Sequence, residues 1–283
     1  MSGVGPVLER ARAEGRAALI GYLPVGFPTV ADSIEAMRTL VRHGVDIVEI
    51  GVPYTDPLMD GPVIQHAADV ALAGGSRLRD VFTAARAVTE AGGAAVVMSY
   101  WNPILHHGVD RFAEELAAAG GSGLITPDLI PDEAGEWVAA AERHDLDRIF
   151  LVAPSSTDDR LVSTTAACRG FVYAASTMGV TGARTSVGDA AATLVERTRR
   201  VTDTPVCVGL GVSTREQAAQ VGRFADGVIV GSALVRCLAD ADSAEEGRDR
   251  LAALCAELAT GVRGGGLDSA PVSVPGSEGA PQP

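Results

Sequence analysis

The sequence predicts a single closed (β/α)8 barrel of the TIM type with extra helices, and three observations carry that reading. Eight short apolar runs recur along the 283 residues, at 17–22, 45–52, 94–100, 123–127, 148–153, 171–175, 205–209 and 227–230. Most are continuous rather than alternating, which marks strands covered on both faces, as in a parallel sheet wrapped by helices. A helical pattern follows each run, and eight such units suit barrel closure. An open doubly wound sheet would carry a dinucleotide fingerprint after its first strand. Here Gly209-Leu-Gly211-Val-Ser-Thr lacks the third glycine and falls at the seventh run.

The elements between the strands read as helices at 30–41, 62–73, 78–90, 111–119, 132–143, 160–167, 189–201, 214–221 and 233–238, with a last amphipathic helix at 244–258. Ser213 with Glu216 reads as a capping box, and Pro131 before Asp132 and Glu133 opens a helix with suitable charge. The stretch after Asn102-Pro103, with His106-His107, reads as a loop. The chain divides into a catalytic barrel at 1–262 and a disordered tail rich in Gly, Pro and Ser at 263–283.

Composition removes several chemistries. All 23 basic residues are arginine, so Schiff-base aldol chemistry, pyridoxal-phosphate attachment and a P-loop lysine are excluded. A net charge of −13 disfavours nucleic acid as a partner. Cys168, Cys207, Cys237 and Cys255 are widely spaced, and His43, His66, His106, His107 and His144 lack metal-ligand spacing, so no metal is expected. No apolar run is long enough to span a membrane and no signal peptide is legible, which points to the cytoplasm.

The most informative residue is Glu49, inside Val45-Asp-Ile-Val-Glu49-Ile-Gly-Val52. Alternation puts Val45, Ile47 and Glu49 on one face and Val48 and Ile50 on the other. Paired with an arginine, or turned to solvent at the rim, Glu49 would be structural only. Buried without a partner at the C-terminal end of a barrel strand, it is a general acid/base with a raised pKa. The loop that follows holds Asp56 and Asp60 among three prolines, and Asp60 before Gly61-Pro62 could instead cap a helix. Glycine-bearing turns end the last three strands: Gly179-Val-Thr-Gly182, Gly209-Leu-Gly211 and Gly231-Ser232. Backbone amides there suit a phosphate without needing lysine.

These pieces together resemble the tryptophan synthase α subunit family, from about Leu8 to Leu258. The most specific match is Val48-Glu-Ile-Gly-Val-Pro-Tyr-Thr-Asp-Pro-Leu-Met-Asp-Gly-Pro-Val-Ile-Gln65, joined by Leu23-Pro-Val-Gly-Phe-Pro28, Ser99-Tyr-Trp-Asn-Pro103, Asp128-Leu-Ile-Pro131 and the three glycine turns. Met59 stands where the family often has alanine, and Ser176-Thr-Met where an arginine often occurs. The resemblance implies cofactor-free retro-aldol cleavage of indole-3-glycerol phosphate, with Glu49 as acid and then base and Asp60 at the indole N–H. It places Tyr22, Ile64, Met98, Tyr100, Ile125, Pro127, Leu151 and Tyr173 around the indole. Thr181 would bond Asp60 when the loop 179–186 closes, and Gly182, Gly211, Gly231 and Ser232 would hold the phosphate. It also implies a pyridoxal-phosphate β subunit in an α2β2 heterotetramer, contacted through Pro53, Asp56, Pro57, Asn102 and Pro131. The related synthase of this pathway relies on lysine, and the related isomerase on a Cys/Asp pair absent from the first and fifth runs. A catalytically silent phosphate-binding barrel that regulates a partner is the alternative, and the presence of both Glu49 and Asp60 argues against it.

Overall fold

A computed structural model describes residues 3–176, 187–209 and 211–264, and the eight apolar runs are eight strands there. They are β1 (Ala18–Pro24), β2 (Ile47–Gly51), β3 (Ala94–Met98), β4 (Gly123–Thr126), β5 (Asp147–Val152), β6 (Val172–Ala175), β7 (Val206–Gly209) and β8 (Gly227–Val230). Each pairs in parallel with its neighbours in chain order, and β8 returns to β1, so the sheet closes on itself. The helices are α1 (Gly5–Ala13), α2 (Val30–Arg42), α3 (Pro62–Ala73), α4 (Asp80–Glu90), α5 (Trp101–His107), α6 (Val109–Ala118), α7 (Gly135–Arg143), α8 (Asp158–Ala167), α9 (Val187–Arg199), α10 (Arg215–Gly222), α11 (Ser232–Ala239) and α12 (Ala244–Gly264). Among the described residues no helix is long and apolar enough to cross a membrane.

Alternation along the strands builds two apolar layers. Ile20, Ile47, Val96, Ile125, Ile149, Phe171, Cys207 and Ile229 fill the barrel interior. Leu19, Val48, Ile50, Val97, Leu124, Val208 and Val228 face outward into the helices. Val45 joins this outer layer, contrary to its sequence assignment to the face of Ile47, because β2 begins only at Ile47 and Val45 lies in the irregular link before it. Helix α1, absent from the expected elements, closes the foot of the barrel: Val4 just before it and Leu8 and Ala11 on it join the interior layer.

Three aspartates fasten this foot. Asp46, just before β2, accepts the Leu19 N–H at 2.9 Å and both Arg16 terminal nitrogens at 2.7 and 2.9 Å. Asp147, opening β5, accepts the Val4 N–H at 2.7 Å and pairs with Arg169 at 3.1 Å. Asp226, just before β8, accepts the Val206 N–H at 2.9 Å and pairs with Arg199 at 2.9 Å and Arg12 at 2.8 Å.

Three local expectations change. The stretch after Asn102-Pro103 is helix α5 rather than a loop; its proline falls in the first turn, where no N–H is needed. The cap of α10 is Thr214, not Ser213: its hydroxyl accepts the Gln217 N–H at 3.3 Å, while the Gln217 side chain accepts the Ser213 N–H at 2.8 Å. Residues 131–133 form a 3-10 turn before α7 starts at Gly135.

Candidate active site

At the mouth of the barrel the strand pattern delivers an acid almost wholly shielded from solvent. Ile47 lies in the interior layer, and Glu49, two residues on along the same face, stands above it. Glu49 is 1% exposed, and its Oε2 has no hydrogen-bond partner. Among the described residues no arginine pairs with it. Neither structural reading of this glutamate therefore holds. Burial, and secondarily the charge of Asp60, push its pKa up to about 8, so it is largely protonated at neutral pH.

The loop after β2 brings Asp60 to the same place. Gly51 ends the strand without a side chain; a Cβ there would lie 2.3 Å from the Tyr22 hydroxyl, so its absence lets Tyr22 of β1 lean over β2. Asp60 is half-buried, and burial raises its pKa while a hydrogen bond from the Tyr100 O–H at 3.3 Å opposes the rise. Helix α3 begins at Pro62 behind Gly61 with no side-chain cap. The Asp60 carboxylate is thus not spent on capping. Only its main-chain carbonyl serves the helix, accepting from Gln65 Nε2 at 2.7 Å.

Both acids line a cavity of about 760 Å³ at the C-terminal ends of the strands, the position from which this fold draws its reactive groups. Tyr22, Ile64, Met98, Tyr173, Gly211, Gly231 and Ser232, all named by the resemblance, line it too. Tyr100 stands behind Asp60 rather than on the wall. Ile125 is fully buried in the interior layer, with Leu151 packed against that layer; neither reaches the cavity wall, and nor does the half-buried Pro127. Thr181, Gly182 and the expected closing loop 179–186 lie outside the described residues. Sequence reasoning missed Met59, Gly61, Pro154, Ser155, Ser176 and Ile229 on the wall. Most of these occupy the ends of strands or the loops after them, and that position was the one available signal.

The glycines at the ends of β7 and β8 differ from one another. Gly211 has φ +71°, a left-handed conformation that favours glycine. Gly231 precedes α11, and a Cβ there would meet Tyr22 at an ordinary 3.5 Å. Gly209 has a third role: a Cβ would lie 2.6 Å from the Tyr173 hydroxyl, so it makes room for that ring as Gly51 does for Tyr22. The arrangement joins a protonated acid, a second carboxylate, aromatic and aliphatic walls and a helix N-terminus flanked by glycine. It can protonate a bound carbon or heteroatom and withdraw a proton nearby without an external base.

The family model described as tryptophan synthase alpha chain matches residues 8–263. The chain is 63% identical over 262 residues to the tryptophan synthase alpha chain of Mycobacterium marinum, covering 93% of this chain and 95% of that protein. The Mycobacterium tuberculosis alpha chain matches at the same identity and coverage. A ligand-free crystal structure of tryptophan synthase from M. tuberculosis superposes with a TM-score of 0.86 at 58% identity, covering 93% of this chain and 100% of that one. The alpha subunit from Legionella pneumophila gives 0.83 at 30% identity, with 93% and 98% covered. With these relatives, this closed barrel and the paired acids at its mouth, the chain belongs to the tryptophan synthase alpha chain family, and it is a lyase of tryptophan biosynthesis.

Proposed function

We propose that Glu49 and Asp60 carry out retro-aldol cleavage of indole-3-glycerol phosphate to indole and glyceraldehyde 3-phosphate. The observation that carries this assignment is the buried, unpartnered Glu49 carboxyl with its pKa near 8, in one cavity with Asp60. Indole leaves only after its C3 is protonated, and Glu49 supplies that proton. Asp60 holds the ring N–H, whose acidity rises as the ring becomes cationic. The Glu49 carboxylate so formed takes the proton of the glycerol hydroxyl next to the ring, and the C–C bond breaks. The bonding pair returns to the ring, and the hydroxyl-bearing carbon becomes the aldehyde. One residue acts as acid and then base, which calls for a pKa close to working pH.

Tyr22, Ile64, Met98 and Tyr173 form the indole pocket, backed by Tyr100, Ile125, Pro127 and Leu151. Gly182, Gly211, Gly231 and Ser232 bind the phosphate, and Thr181 bonds Asp60 when its loop closes. The partner is a β subunit in an α2β2 heterotetramer in the cytoplasm, seated on Pro53, Asp56, Pro57, Asn102 and Pro131. Four exposed apolar side chains beside these residues support that seating: Leu58, Met59, Leu105 and Ile130, at 78%, 48%, 52% and 42% exposure. The direct test is indole release from indole-3-glycerol phosphate by the isolated chain and after adding a β subunit. Release in both cases, faster with the partner, is the expected result; no release in either removes the assignment.

A further inference from the structure

One phenol oxygen holds three consecutive residues of the loop that carries Asp60. The Tyr100 hydroxyl accepts the N–H groups of Leu58 and Met59, each at 3.1 Å, and donates to Asp60 Oδ1 at 3.3 Å. Side-chain packing does not fix this part of the loop, because Leu58 and Met59 are 78% and 48% exposed. The phenol itself stands on firm ground. Tyr100 is 5% exposed and follows β3, where the Ser99 N–H donates to the Ile125 carbonyl and the Ser99 hydroxyl to the Tyr100 carbonyl. Its ring packs 5.3 Å from that of Tyr54, and the next residue opens α5 with its N–H bonded to the Asp128 carboxylate at 2.9 Å.

We propose that Tyr100 is a positioning residue for the proposed base: its hydroxyl sets where the Asp60 carboxylate stands and which oxygen, Oδ2, is left to meet the indole N–H. The proposal rests on the reading of Asp60 as the group that holds that proton. A carboxylate displaced by a fraction of an ångström still binds substrate but meets the transition state poorly, so the cost falls on kcat rather than KM. The hydroxyl also sets when Asp60 is ionised. Glu49, Tyr22 and Tyr173 face the same carboxylate and feel its charge. Among the described residues, Tyr100 is the group whose hydrogen bond lowers its proton affinity. Removing that donor leaves burial unopposed, and the pH below which the base is lost moves upward.

The experiment compares Tyr100→Phe, Tyr54→Phe and Asp60→Asn with the wild-type chain, following indole release from indole-3-glycerol phosphate across pH 5.5 to 9. Tyr100→Phe should lose about tenfold in kcat with KM changed less than about threefold. The acid limb of its kcat profile should move to higher pH. Tyr54→Phe, which keeps the phenol at Asp60, should stay within about twofold of wild type. Unchanged kcat and an unmoved acid limb in Tyr100→Phe, with turnover lost in Asp60→Asn, overturn the proposal alone. Near wild-type turnover in Asp60→Asn overturns the reading of Asp60 and the proposal with it.

Discussion

The two ends of the barrel treat buried acids in opposite ways. At the foot, Asp226 is 7% exposed and is met by the Val206 N–H, Arg199 and Arg12. Burial pushes its pKa up, but those donors more than offset it and the net shift is downward. At the mouth, Glu49 is 1% exposed, has an oxygen with no partner, and shifts upward to about 8. Similar burial thus gives opposite titration, and the difference is the supply of donors. Asp147 falls between: burial raises it despite the Val4 N–H and Arg169. The foot spends its carboxylates on fastening strands. The mouth leaves one unsatisfied, a local cost that makes sense only where a proton must move.

The sharpest way to break this comparison is to remove the unsatisfied acid. Glu49→Gln should fold yet lose about 10²–10⁴-fold in kcat, measured as indole release; turnover near wild type would put the chemistry elsewhere. The same variant tests the titration. A carboxyl whose folded pKa is raised to about 8 binds more protons folded than unfolded between roughly pH 4.5 and pH 8. Its stabilising contribution is therefore full at low pH and lost as pH rises through that window, on the order of a few kcal/mol. Glu49→Gln should gain thermal stability relative to wild type from pH 5 to pH 9, and a constant difference would show that the pKa is ordinary.

At the foot the expectation reverses. Asp226→Ala strands the buried Val206 N–H and should cost about 2 kcal/mol in urea unfolding while leaving kcat and KM alone; altered kinetics would show that the two ends are coupled. Gly231→Val should raise KM about tenfold with little loss of stability. A Cβ there has room, but a branched side chain blocks the approach of an anion to the amides. Unchanged KM would move the phosphate site. The smallest effect belongs to the exposed Asp56, whose carboxylate accepts from the Thr55 hydroxyl at 2.5 Å. Asp56→Asn should keep basal cleavage and blunt activation by a β subunit by a few-fold, since an exposed charge pair is worth at most about 1 kcal/mol. Equal activation of variant and wild type would exclude it from the coupling.

What was legible in the sequence follows the same physics. A strand buried on both faces writes itself as an unbroken apolar run, so all eight strands were readable. Glu49 was readable as the one charge late in such a run. Helix α1 was not: of its apolar face only Leu8 and Ala11 are buried, between arginines and a glutamate. Helix α5 is seven residues long and contains a proline, and its N-terminal partner Asp128 comes 27 residues after Trp101. The bond between Tyr100 and Asp60 joins residues 40 apart, and no local pattern encodes a contact of that range. Ile125 shows the reverse limit. Motif register gave its strand, but depth within the barrel decides whether a side chain lines the cavity or supports its floor.

The fastened foot also has a consequence for synthesis. Arg12 finds Asp226 across 214 residues and Val4 finds Asp147 across 143, while β1 takes β8 as one of its two neighbours. The earliest-made part of the barrel therefore completes its contacts only when nearly the last of the barrel has emerged. A chain halted on the ribosome before residue 226 holds β1 with one edge unpaired and α1 without its anchor at Arg12. Contacts of such range make for slow closure, and the open edge is the kind of surface that recruits chaperones or other nascent chains.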